Sequence, residues 1–198
     1  MLELSALSSP IVNLPAAVAA NMATSGVEHP VTAVLLNFRG YDTLLEIGVL
    51  LLALLVVLAV SPREEGSARA AADPILQTLA CITVPLMLLA AVYLLWTGAH
   101  RPGGAFQAGA VLGAAAVVLH LAGLLPGWNA PRRRLRAGLA GGFLIFLGVS
   151  AVLLAEGALL RYPPSAAGAL ILLIEASLTV SLGLILAGLF LFLTREQA

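Results

Sequence analysis

Apolar residues run almost without interruption through 43–60, 76–98, 106–125, 138–160 and 167–193. None of these runs carries the one-sided stripe of a helix half-sunk in a soluble core. Each approaches or exceeds the roughly 20 residues an α-helix needs to cross a hydrocarbon layer. The pattern predicts an all-α integral membrane protein of about five transmembrane helices joined by short loops. Upstream the pattern breaks up. Residues 28–38, "EHPVTAVLLNF", read as a short helix feeding the first span along the membrane surface. Residues 1–25 are interrupted by Asn13, Pro15 and Asn21, and read as a poor sixth span or an interfacial segment. They lack the basic start of a secretory signal and carry Glu3, so they read as retained.

The polar stretch 61–75, "SPREEGSARAAADPI", is the clearest internal boundary, and Asp73-Pro74 at its end has the chemistry of a helix start. The chain therefore divides into an N-terminal segment (1–27), a one-span segment (28–60), a linker (61–75), a four-helix membrane domain (76–193) and a tail (194–198). No internal repeat stands out, which disfavours a transporter built from inverted repeats within this chain.

Composition sharpens the class. Hydrophobic residues make up 61% and charged residues 10%, against about 25% charged in soluble domains. The partners of this surface are therefore the lipid bilayer and other apolar protein. All basic residues are arginine, and their one cluster, Arg132, Arg133, Arg134 and Arg136, adjoins a hydrophobic run without interleaved aromatics, so no nucleic acid is expected. Cys81 is the single cysteine, which excludes a disulfide framework and cysteine metal spacing. With five spans, the connections 61–75, 126–137 and 194–198 share one side and hold seven arginines, against three (Arg39, Arg101, Arg161) on the other. The positive-inside rule then puts the C-terminus in the cytoplasm and "AHRPGGAFQAG", residues 99–109, outside.

Acids inside apolar runs cost about 2.5–3.5 kcal/mol each at a helix centre, so those retained are candidates for function. Asp42 and Glu46 sit at i, i+4 on one helix face, with Arg39 three residues before Asp42. A self-neutralising interfacial cluster accounts for Arg39 and Asp42 but poorly for Glu46, one turn deeper. Glu175 lies eight residues into the last run, with Thr179 at i+4 and a second polar line through Ser177 and Ser181. It reads either as a protonated acid hydrogen-bonded between helices or as an ion-transfer group, and the second is preferred. Glu156 lies near an outer span end, and His120 near a cytoplasmic one, where packing is the commoner role. Glu46, Glu156 and Glu175 share the outer half, as the lining of an aqueous half-channel would. No serine–histidine–acid set, phosphate loop or His/Cys metal spacing is present in the sequence, so no enzyme activity and no cofactor is expected. Gly109/Gly113 and Gly138/Gly142 allow close helix approach.

In "TGAHRPGGAFQAG", Gly103 and Gly104 permit a tight turn and Pro102 fixes its start. The stretch resembles the signature of the B-type component of Mrp-type multisubunit sodium/proton antiporters, a glycine, a His-Asn pair and a Pro-Gly-Gly-Gly-Phe run joining the first two spans. Gly98, Pro102, Gly103, Gly104, Phe106 and Gly109 match. Ala99 stands at the family's histidine position, His100 at its asparagine and Ala105 at its third glycine, so the turn is kept and the histidine's duty is not. Residues 31–50, "VTAVLLNFRGYDTLLEIGVL", are similar to the C-terminal end of the large A-type component, also found as a separate small component of related membrane-bound hydrogenases. Phe38, Arg39, Gly40, Tyr41, Asp42, Thr43, Glu46 and Ile47 carry that pattern, while Asn37 replaces a usual aspartate and Leu45 a glycine. Glu175 in "IEASL" fits the acid before the final helix of the B-type component, with Ser177 in place of a common glycine.

The resemblance implies an A-type tail (about 28–60) fused to a B-type component (about 75–193). Such a chain would be an accessory subunit working among large antiporter-like and small membrane subunits. It has no lysine, so it cannot supply the lysine–glutamate pair of the large subunits. Glu46 and Glu175 would offer oxygens to a transient sodium ion on the outer side. Alternatives are a non-conducting scaffold, or the same module in a redox-driven hydrogenase-type or inorganic-carbon uptake complex. The expected setting is the inner membrane of a bacterium or archaeon.

Overall fold

The computed structural model describes residues 13–60, 73–125, 133–155, 157 and 159–193. Helix α1 (Leu14–Ser25) starts where the Asn13 side chain accepts the Ala16 N–H at 3.1 Å, and ends at Gly26 in the left-handed region (φ 72°). At 12 residues it is about 18 Å long and too short to cross a bilayer. The sixth span considered above is therefore not formed by 14–25, while 1–12 lie outside the described residues. The feeder segment is helical as expected: α2 (Pro30–Ala33) passes into a π-helical turn (Val34–Phe38). Arg39 (φ −130°, ψ 31°) then breaks the path before α3 (Gly40–Val60). The Thr43 hydroxyl donates to the Leu35 carbonyl at 2.6 Å, satisfying a group near the break.

The remaining helices are α4 (Pro74–Thr97), α5 (Ala105–Leu121), α6 (Arg133–Ala155) and α7 (Ala167–Leu193). Helix α4 begins as the Asp73-Pro74 pair predicts: the Asp73 carboxylate accepts the Ile75 N–H at 2.9 Å. Helices α3, α4, α6 and α7 are long and apolar enough to span, whereas α5 has 17 residues, about 25 Å against a hydrocarbon core of about 30 Å. It stops short of the expected 125 because Gly123 (φ 69°) turns the chain. Helix α6 starts five residues earlier than expected, taking Arg133, Arg134 and Arg136 into its first turns. Arginine is a good helix former whose long stem runs along apolar surface.

Helix α7 is the axis of the fold. It packs against α5, α6 and α3, while α4 rests chiefly on α5. Small residues set these distances. A Cβ on Gly142 would lie 2.7 Å from Ser181 Cβ and 2.8 Å from the Ser177 carbonyl, and one on Gly109 2.8 Å from Leu182 Cβ. Gly183 answers from α7, where a Cβ would lie 2.9 Å from Leu112 Cβ. The α6–α7 seam is pinned by the Ser181 hydroxyl, which donates to the Leu139 carbonyl at 2.5 Å. Phe146, Ile174, Leu178, Leu182 and Ile185 fill the interior beside these contacts.

Gly142→Ala should destabilise the chain by about 1–3 kcal/mol through overpacking. Gly141→Ala, whose added Cβ meets nothing within 4 Å, should be neutral or gain up to about 1 kcal/mol in helix propensity. Thermal unfolding of the two variants in one detergent checks the contrast.

Candidate functional site

The α4–α5 connection is a crowded turn. Gly104 N–H reaches back to the Leu94 carbonyl at 2.9 Å, folding the loop onto the last turn of α4. A Cβ on Gly98 would lie 2.7 Å from Gly104 Cα, and one on Gly103 would run into the Leu94 carbonyl. Gly104 has φ 107° and ψ −171°, a region that only glycine occupies without strain. These three glycines are thus dictated by backbone approach, and Pro102 sits exposed at the outside of the turn.

Behind the turn stands Glu175, 5% exposed and about 12 Å into α7. Its carboxylate lies beside the Ala105 N–H, one of the first free amides of α5. The site a Gly104 Cβ would fill is 2.7 Å from Glu175 Oε1. The loop is clamped from the other side by residues 28–32. Thr32 Oγ1 donates to the Gly98 carbonyl at 2.5 Å, His29 N–H to the Ala99 carbonyl at 3.1 Å, and His100 Nδ1 meets Glu28 Oε2 at 2.9 Å.

Between the clamp, α3 and α7 lies a cavity of about 230 Å³ whose polar lining side chains are Thr32, Thr43, Glu46, Gln107 and Glu175. No basic residue lines it. The two threonine hydroxyls donate to backbone carbonyls and so turn lone pairs to other partners. Carboxylate, hydroxyl and amide oxygens are the donors a hard cation takes. A larger cavity of about 870 Å³ lies between α1 and the loop before α7, but Arg39 and Arg161 line it, which is the wrong sign for a cation. Burial pushes the neighbouring Tyr162 phenol further up, so it stays neutral there.

The structure brings Glu46 and Glu175 onto one cavity, with Phe106 in its wall. The other sequence candidates lie elsewhere. Asp42 forms an ion pair with Arg39 and is absent from the cavity lining. Thr179 is absent from the cavity lining, and its hydroxyl donates to the Glu175 main-chain carbonyl at 2.7 Å. His120 is half-buried at the far end of α5, about 22 Å along the axis from Ala105. Gly40 packs under Leu160, whose Cδ1 would lie 2.7 Å from a Cβ there. Gly109 belongs to the α5–α7 seam, and Glu156 lies outside the described residues. Glu28, Thr32 and Gln107 were not singled out in the sequence. Ordinary polar residues at a span's edge carry no cost that marks them.

Residues 75–193 match the family model described as a domain related to the MnhB subunit of Na+/H+ antiporter. No curated protein sequence matches the chain. Among solved structures, a chain of the membrane-bound sulfane sulfur reductase, an archaeal respiratory membrane complex, has TM-score 0.78 at 22% identity. That match covers 95% of this chain and 88% of that one. A chain of the Mrp complex from Dietzia sp. DQ12-45-1b has TM-score 0.67 at 26% identity. It covers 91% of this chain, which spans 22% of the Dietzia chain.

Gly104→Ala should cost at least about 1–2 kcal/mol from its backbone conformation alone, with a further penalty from the contact with Glu175. Adding Glu175→Ala should restore the steric share and leave the backbone share. A double-mutant cycle on thermal unfolding separates the two.

Proposed function

Because the chain belongs to the family of domains related to the MnhB subunit of Na+/H+ antiporters, we propose that it works as a membrane subunit of a multisubunit complex exchanging sodium for protons. In that reading Glu46 and Glu175 contribute carboxylate oxygens to the sodium path. The observation that carries it is their meeting on one cavity lined by oxygen donors and free of basic residues. Cavity, turn and clamp lie at one end of the bundle, where the arginine distribution puts the outside and leaves the C-terminus in the cytoplasm. The setting is the inner membrane of a bacterium or archaeon, and the chain carries ions without bond-making chemistry of its own.

Residues 28–60 act as the tail of a large antiporter component, joined to a B-type domain at 76–193. The antiporter chain covering 91% of this one is itself several times longer, which supports a continuous arrangement of the two parts. Glu46 is exposed on α3 in the isolated chain. An acid on a span's surface calls for a protein neighbour, which supports assembly with further membrane subunits. The shared fold with a respiratory complex keeps a redox-driven version in the test.

Purification of the tagged chain in mild detergent should retain large antiporter-type subunits. Co-purifying iron–sulfur subunits would move the module to an electron-driven pump, and a lone stable chain would sink the subunit reading. In the reconstituted complex, Glu175→Gln and Glu46→Gln should each cut sodium/proton exchange by about tenfold or more, equivalent to about 1.4 kcal/mol. Normal rates in variants that assemble would leave both acids as scaffold.

A further inference from the structure

Glu175 also borders a second cavity, of about 260 Å³, walled in part by Val27, Glu28, Trp96, His100 and Leu172. Among the described residues, Glu175 alone lines both this cavity and the one containing Glu46. The clamp bonds from Thr32 and His29 to the 98–99 backbone hold residues 28–32 against the turn between the two spaces. The second cavity is lined by carboxylates as the first is, but adds the His100 imidazole, paired with Glu28. Two carboxylates, Glu28 and Glu175, line it, no arginine does, and Trp96 forms part of its wall. Its volume exceeds the roughly 30 Å³ share of one water several times over. Glu28 is 79% exposed at the side chain and bonded to His100, so it marks the mouth, while the buried Glu175 marks the inner end. Arg101 and His29 flank the pair in sequence but do not line the cavity.

We propose that this cavity is a port for a monovalent cation, and that port and inner cavity are successive stations sharing the Glu175 carboxylate. The proposal rests on the ion-path reading and adds the route of access to it. A cation entering the port competes with His100 for the Glu28 carboxylate, binds between Glu28 and Glu175, and passes to the far side of Glu175, where Glu46 receives it.

The test uses the assembled complex in proteoliposomes, with Cys81→Ser as background. Leu172→Cys reports the port and Leu35→Cys the inner cavity. Both should react with a membrane-impermeant, positively charged thiol reagent. Sodium at about ten times its KM should slow the Leu172→Cys reaction roughly tenfold by occupancy. Glu28→Gln should raise the sodium KM by about three- to tenfold with maximal exchange within about twofold. His100→Ala should lower that KM, because the competitor for Glu28 is gone. An inert or sodium-insensitive Leu172→Cys beside a reactive Leu35→Cys, or an unchanged KM in both Glu28→Gln and His100→Ala, overturns the port and leaves the inner cavity standing. Normal exchange in both Glu46→Gln and Glu175→Gln sinks the reading on which the port rests.

Discussion

A carboxyl group carried about 12 Å into an apolar helix has no water to turn to, and an acid at such depth is costly unless the protein supplies a donor. In this chain Glu175 is set beside the Ala105 amide at the start of α5. That placement constrains much of the surrounding structure. It requires α5 to begin at the level of Glu175, and the preceding residue to pass the carboxylate without a Cβ, which Gly104 does. It also requires α4 to hand the chain over within a few residues, which forces the close approach of Gly98 to Gly104. The Pro-Gly-Gly turn is thus the backbone's answer to an acid about seventy residues downstream.

The same placement depends on the lateral distance between α5 and α7. Gly109, Gly113 and Gly183 bring the two backbones together, and bulkier residues would push the amide away from Glu175. Lipid tails are as apolar as the helix surfaces, so association in a bilayer draws on packing of this kind and on interhelical hydrogen bonds. Ser181, reaching the Leu139 carbonyl across the α6–α7 seam, supplies one such bond. Packing and the placement of the buried acid are therefore one problem in this fold.

The spans were legible because hydrophobic length is a strong signal, and their ends less so because arginines and glycines act at the margins. Arg133, Arg134 and Arg136 extend α6 where a loop was expected, and Gly123 cuts α5 short. Glu46 and Glu175 were legible because an acid in an apolar run is conspicuous, but their meeting on one cavity depends on tertiary packing. The Arg39–Asp42 pair followed from i, i+3 spacing alone. Thr32 clamps a carbonyl 66 residues away, and no local pattern announces a partner at that distance. Thr179 shares the helix face of Glu175 by spacing, yet it does not line the cavity, a distinction that spacing cannot make.

The exposure of Glu46 on α3 has a bearing on the life of the chain before it reaches its partners. A newly inserted copy presents a carboxyl to lipid about one and a half turns inside its first span, and that penalty disappears when a neighbouring protein covers it. The cost of the orphan state falls on a residue that also lines the cavity beside Glu175, so covering that face of α3 relieves it. A single side chain then makes an uncovered copy less favourable in the membrane than a covered one.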